Sequence, residues 1–340
     1  MRHSLRHIFT LCLLAAFTTQ STFGQDLHFS QFYNAPLNIS PALTGVFNGD
    51  QRFVGTYRNQ WSSVPVPFTT FAASYDQKFS FPFTGDGFFG GGLIFTYDAA
   101  GDADLNWAQL GLNISYTQPI NKENYITVGT ELKFGQRAFN PDALTFDDQF
   151  DGDFFDPTRA TLQSFAQTAS GFFDLGAGVT WSARDSDSRG SVVSGLAFGH
   201  LTEPVIGFLD DSEIEVPLVM RVFTFGTIPL NKEFDLNLMV LGQLQLPYSE
   251  LLLGSTLTYH MPLDGSKQID LTAGIAYRDE DALIFILEST YQNWRLGFSY
   301  DVNISDFEVA TNNFGGPELG VRYIITKVQA PNKFKACPIF

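Results

Sequence analysis

The feature that most constrains this chain is a period of two. From Gln51 onward, segments of about 9 to 14 residues carry an apolar residue at every second position and are broken by Asn, Asp, Gly and Pro. Successive side chains of an extended strand point to opposite faces, so this period reads as strand after strand. Phe173, Leu175, Ala177, Val179 and Trp181 alternate with Asp174, Gly176, Gly178, Thr180 and Ser182. One face is wholly apolar and the other is small or polar. The same split recurs with Leu110, Leu112, Ile114 and Tyr116 against Gln109, Gly111, Asn113, Ser115 and Thr117, and with Trp294, Leu296, Phe298 and Tyr300 against Arg295, Gly297, Ser299 and Asp301.

Alternation alone does not separate a soluble sandwich from a membrane barrel, because both have one apolar face. Three further features favour the barrel. The segments are near the length that a tilted strand needs to cross a bilayer, longer than the ordinary soluble strand. Aromatic residues gather near segment ends, at Trp61, Trp107, Tyr116, Tyr125, Trp181, Tyr259, Tyr277, Trp294 and Tyr300, as an interfacial girdle places them. The third feature is the count. Strands are expected near 51–61, 66–79, 86–98, 104–118, 124–138, 170–183, 190–201, 216–229, 233–247, 250–261, 267–278, 281–291, 293–302 and 316–326, about 14 in all. An even count puts both ends of the barrel chain on the periplasmic side. The short connections then fall on that side, and the longest, near 139–169, 202–215 and 302–315, fall outside. The expected fold is therefore all-β, an outer-membrane barrel of about 14 antiparallel strands. In strands 8 to 10, Val219, Phe223, Phe225, Met239 and Leu241 put apolar residues on the inward face. Either the phase slips by one residue there or this wall packs against something inside the barrel, and we take the second reading.

The ends of the chain divide off. Residues 1–24 have the layout of a secretory signal peptide: Arg2, His3, Arg6 and His7 begin it, an apolar run follows from Ile8 to Phe17, and Thr22-Phe23-Gly24 places small residues where cleavage needs them. Cleavage near Gly24 removes two arginines and no acid, taking the formal charge from −16 to −18, which argues against nucleic acid as a partner. Cys12 goes with it. Cys337 is then the one cysteine left, so no internal disulfide forms. Residues 25–50 are expected as an N-terminal periplasmic or plug segment, 51–326 as the barrel, and 327–340 as a periplasmic tail ending in "FKACPIF" around Cys337.

The stretch "DLHFSQFYNAPLNISPALTGVFNGDQR" (Asp26 to Arg52) follows neither the helical nor the strand period, and Pro36 and Pro41 bar it from a central strand. It precedes strand 1 and so is expected to start on the periplasmic side. Its apolar side chains need a place to bury, and the inward face near Phe223, Phe225 and Leu241 offers one. The candidate plug or partner contacts are His28, Phe29, Gln31, Phe32, Tyr33, Asn38, Pro41, Phe223, Phe225 and Cys337.

Little in the chain points to reaction chemistry. No metal-spaced histidine pair and no nucleophile elbow occurs. The acidic loop with Asp142, Asp147, Asp148, Asp151, Asp153 and Asp156 fits no EF-hand spacing and reads as a solvated surface, as does "LDDSEIE" at Leu209 to Glu215. His200 and His260 fall at opposite ends of the barrel. No enzyme activity, no cofactor and no metal site is expected. The inward charges Glu131, Lys133, Asp270, Arg278, Arg295, Glu318 and Arg322 could line a conduit or pair within the wall.

"LHFSQFYNAPLNISPALTG", "RFVGTYRNQW", "PFTTFAASYDQKF", "WRLGFSYDVNISDF", "GGPELGVRYII" and the terminal "CPIF" resemble the PorP/SprF family of outer-membrane proteins of the Bacteroidota. The resemblance departs at Pro317, where the family often has His, and is loosest in the acidic loops. It implies a component of type IX secretion and gliding motility. Such a component supports export or surface attachment of a large adhesin with a C-terminal sorting domain, or links the translocon to periplasmic or lipoprotein partners, with outer-membrane lipids around it. The alternative is a 14-stranded transporter of small hydrophobic molecules with an N-terminal hatch.

Overall fold

In the computed structural model, every strand has a hydrogen-bonded neighbour on each side, so the sheet has no edge. The structure describes residues 27–60, 67–101, 103–150, 152–165, 167–208, 214–263, 267–305 and 311–326. The expected signal peptide with Cys12, the aromatic Trp61, Asp151 of the acidic loop, part of the Leu209–Glu215 loop, and the tail with Cys337 lie outside these residues.

Fourteen strands form the ring: β1 (Gln51–Gln60), β2 (Phe68–Phe79), β3 (Phe88–Ala100), β4 (Leu105–Pro119), β5 (Asn124–Ala138), β6 (Ala169–Arg184), β7 (Ser191–Gly199), β8 (Val219–Pro229), β9 (Phe234–Gln245), β10 (Tyr248–Pro262), β11 (Gln268–Arg278), β12 (Ala282–Tyr291), β13 (Trp294–Asn303) and β14 (Phe314–Ile325). Each pairs antiparallel with its neighbours in sequence. The closed barrel is completed by β1 on β14, in a register running from Gln51 opposite Ile325 to Arg58 opposite Glu318. Closure gives each strand a ladder partner on both sides, as a β-structure surrounded by hydrocarbon requires. The strands expected from the alternation are all present, with ends displaced by at most a few residues.

Burial is inverted relative to a soluble protein. On β4, Leu110, Leu112 and Ile114 face outward and are 52%, 47% and 61% exposed, whereas Gln109, Asn113, Ser115 and Thr117 face inward and are buried. The same pattern runs around the ring, with Leu238, Val240, Leu271, Ile275, Phe285, Leu287, Leu296 and Phe298 all exposed. An apolar belt of this kind on a closed barrel is the surface that lipid covers. No helix among the described residues is long and apolar enough to cross a membrane; strands make the crossing.

The two ends of the barrel differ. At the end where β1 begins and β14 finishes, here the terminal end, the turns are tight. Asn121 Oδ1 accepts from the amides of Glu123 and Asn124 between β4 and β5, and Asn231 Oδ1 accepts from those of Glu233 and Phe234 between β8 and β9. The near-identical stretches "PINKE" and "PLNKE" thus make the same Asx turn. At the opposite, distal end, the long β5–β6 connection folds on itself: Asp148 accepts from Thr161 Oγ1 and from the Leu162 amide, Asp156 accepts from Thr158, and Phe139 packs edge-on against Phe165 and Phe208.

Candidate functional site in the barrel lumen

Residues 28–48 run through the inside of the barrel. The chain takes three single turns of 3-10 helix there, Phe32–Asn34, Pro36–Asn38 and Pro41–Leu43. The prolines explain the choice. Pro36 and Pro41 occupy first-turn positions, where a missing amide hydrogen costs nothing, and Ser40 caps the third turn by accepting from the Ala42 amide at 3.1 Å. Gly45, at φ +77°, supplies the left-handed residue that turns the chain toward β1. Phe29, Phe32, Leu37, Ala42 and Leu43 are all buried in the lumen.

The direction of travel corrects one expectation. The segment does not start at the terminal end, although it precedes β1. Its first described residues lie toward the distal end: Arg58, near the far end of β1, donates to the His28 carbonyl at 2.9 Å, and His28 sits 3.7 Å from Glu250, just past the β9–β10 turn. The chain then descends the lumen, and Asn48 meets Arg184 at the last residue of β6, at the terminal end. Reading sequence order as spatial order failed here because the segment doubles back along β1.

One wall grips the segment with charge. Glu318 accepts from the Ser30 and Gln31 amides at 2.7 and 2.8 Å. Asp301 accepts from Ser30 Oγ at 2.7 Å, from Arg58 at 2.7 Å and from Arg278 at 3.1 Å, and Arg278 also donates to Ser30 Oγ at 2.8 Å. Arg58, Asp301, Glu318 and Arg278 are at most 2% exposed. Such charges are tolerable only because each is paired and hydrogen-bonded. Lower down, Asp76 accepts two bonds from Arg52, at 2.8 and 2.7 Å, and one from the Gly45 amide at 2.7 Å, while Arg52 donates to the Leu43 carbonyl at 3.0 Å. Glu288 accepts from the Tyr33 hydroxyl at 3.0 Å and from Asn34.

The opposite wall grips with apolar surface. Phe32, Ile39 and Leu43 of the segment pack in one buried cluster with Ala197, Phe223, Met239, Leu241, Leu252, Ala276, Ile284 and Ile286 of β7 to β12. The Phe32 ring meets Phe225 edge-on at 6.2 Å between centroids. The inward apolar residues of β8 and β9 therefore keep their strand phase and face the chain inside. Small residues let the segment come close elsewhere. A side chain at Gly129 would meet the Pro41 carbonyl carbon at 2.5 Å, and one at Gly297 would meet Gln31 Oε1 at 2.1 Å. Asn38 is half-buried beside Pro36.

The inward charges noted in the sequence are mostly paired. Lys133 lies 2.9 Å from Glu131, Asp270 2.7 Å from His260, and Arg295 3.7 Å from Glu288. Arg322 is different: its guanidinium has no ion-pair or hydrogen-bond partner among the described residues. His260 also bonds Asp235 at 2.7 Å near the terminal end, and His200 bonds Asp174 at 2.7 Å near the distal end. Among the described residues no three His, Cys, Asp or Glu side chains group as a metal site. Sequence reasoning missed Arg52, Arg58, Asp76, Glu288 and Asp301. The signal was present, since each occupies the inward phase of its strand.

Comparison with known proteins gives one family and a set of distant barrels. None of the curated proteins matches the chain. Among solved structures, a TodX mutant monoaromatic hydrocarbon channel is 10% identical, with 85% of this chain and 93% of that one covered and a TM-score of 0.47. The CymD monoaromatic hydrocarbon channel is 10% identical over 89% and 96%, at 0.46. The P. putida toluene transporter TodX is 11% identical over 85% and 93%, at 0.44. The family described as type IX secretion system membrane protein PorP/SprF matches residues 21–323, which takes in both the segment in the lumen and nearly all of the barrel around it. The chain belongs to the PorP/SprF family of type IX secretion system membrane proteins.

Proposed function

We propose that this protein is a non-enzymatic outer-membrane component of type IX protein secretion, with a lumen stoppered by its own N-terminal segment. In that role it supports export or surface attachment of a large adhesin or other protein bearing a C-terminal sorting domain, or it links the translocon to periplasmic partners. The observation that carries this reading is the double grip on residues 28–45. A barrel built to pass solutes keeps a path; here the path holds backbone bonded to one wall and buried side chains packed on the other. The outward apolar belt and the even strand count suit the outer membrane, with the terminal end toward the periplasm. A route for small hydrophobic molecules has less support, because an apolar solute would meet Arg58, Arg278, Asp301 and Glu318 across the distal half of the lumen.

Two measurements test the reading. Deleting the protein from its host should remove at least one large adhesin or sorting-domain protein from the cell surface, as read by surface proteomics; an unchanged surface proteome would end the secretion reading. Removing Asp26 to Gly45 should give a barrel that conducts ions in planar bilayers, whereas the full mature chain stays closed. Equal conductance of the two would show that the segment is not a stopper.

A further inference from the structure

Below the segment, the lumen widens into a cavity of about 740 Å³ that reaches the terminal end. Its charge runs against that of the protein. The chain carries a formal charge of −16, yet six of its 20 lysines and arginines line this one cavity: Arg52, Lys78, Lys122, Arg184, Arg295 and Arg322. Among the described residues only two carboxylates line it, Asp185 and Glu288. Asp185, in the β6–β7 turn, is held below the ordinary carboxylate range by the Ser188 hydroxyl and the Asp187 amide, so it stays ionised, but it belongs to that turn's own hydrogen bonds. Glu288 is engaged by Tyr33 and Asn34.

The lining cations differ in how far they are already engaged. Arg52 is paired with Asp76 at 2.7 Å, and Arg295 has Glu288 at 3.7 Å. Lys78 donates to the Phe47 carbonyl at 2.5 Å and lies over the Phe47 and Phe88 rings. Arg322 on β14 stands directly opposite Arg295 on β13 in the strand register, and both face inward. Like charges directly opposite each other destabilise a sheet, and the nearest relief is one carboxylate, Glu288, 3.7 Å from Arg295.

We propose that this cavity is a binding site for an acidic polypeptide segment of a partner, entering from the terminal end and placing carboxylates on Arg322 and Arg295. A chain fits better than a compact anion for two reasons. The positive groups extend from Lys122 and Arg184 in the terminal-end rim to the Arg295–Arg322 pair below Tyr33, so several carboxylates are matched in sequence. Between them lies a polar wall in which Thr227, Asn237, Thr256, Thr258 and Thr272 bond one another, and each hydroxyl keeps acceptor capacity for a peptide amide. This rests on the proposed orientation, with the terminal end facing the periplasm, and it adds the chemistry of the partner.

The test uses the full mature protein purified in detergent and a fluorescein-labelled oligoglutamate peptide, with the oligoglutamine peptide and inorganic phosphate as comparisons. The expected result is salt-sensitive binding of oligoglutamate that falls about tenfold or more in Arg322→Gln, as loss of a charge-assisted hydrogen bond predicts, with Tm unchanged or raised by relief of the arginine pair. A lowered Tm together with weaker binding would make Arg322 structural and overturn the proposal. So would equal binding by wild type and variant, equal binding of the glutamine peptide, or phosphate that binds as tightly as the peptide. Should Arg322→Gln fail to fold, the exposed Lys122→Gln carries the same comparison and must weaken binding and flatten its salt dependence. Peptide binding by purified protein and the surface proteome of a deletion strain are independent readouts, so either can fail alone.

Discussion

The two walls of the lumen hold the same segment by different physics. From β7 to β12 the grip is apolar: Phe32, Ile39 and Leu43 against Phe223, Met239, Leu241, Leu252 and Ile284. From β13 through β14 to β1 and β2 it is ionic, with Arg278 reaching in from β11: Glu318 and Asp301 around Ser30, and Asp76 and Arg52 around Leu43 and Gly45. Apolar contact scales with area and tolerates sliding. A carboxylate accepting two consecutive amides does not, because a shift of one residue leaves buried charge unpaired. The apolar wall supplies retention and the ionic wall sets the register of the chain inside the barrel.

That division can be broken by substitution. The largest effect is expected for Asp301→Ala, which strands Arg58 and Arg278 without their shared carboxylate: a loss of about 3–5 kcal/mol, read as a lower denaturation midpoint in detergent, with the segment newly open to protease. A change under 1 kcal/mol would mean that the arginines find other partners and that register is set elsewhere. Phe32→Ala removes the aromatic anchor on the other wall and is expected to cost about 3–4 kcal/mol, yet to leave the Ser30–Glu318 contact in place, so that the Ser30 and Gln31 amides stay protected from hydrogen exchange as in the parent. Loss of that protection would show that the apolar wall also sets register. The smallest effect is expected for Tyr33→Phe, which removes one bond to Glu288 while Asn34 still satisfies the carboxylate: about 0.5–1.5 kcal/mol in the same unfolding measurement.

Much of the barrel was legible in the sequence because lipid and lumen act on alternate residues. Leu110, Leu112 and Ile114 against Gln109, Asn113 and Ser115 give the strand, its phase and its two surroundings at once. The misfit phase of Phe223, Phe225, Met239 and Leu241 was also informative, since a wet lumen gives no reason for four inward apolar residues. The path of the segment was not legible. Nothing local to "HFSQFYNAPLNISPALTG" states that its start lies toward the distal end, because that is fixed by Asp301 and Glu318, far along the chain. The pairing of Arg52 with Asp76 was closer to hand, since both belong to the first hairpin in directly opposed register. The opposition of Arg295 and Arg322 likewise depends on which residues face each other across β13 and β14, which alternation leaves open.

The bond from the Ser30 amide to Glu318 spans 288 residues, and Glu318 lies opposite Arg58 in the seam where the first strand meets the last. The segment's ionic site is therefore incomplete until the final strand has docked. A chain that stops short of β14 offers the Ser30 and Gln31 amides no carboxylate, and its N-terminal end is held by fewer bonds. The latch thus reports the completeness of the chain, which makes exposure of that end a physical mark by which unfinished barrels differ from finished ones.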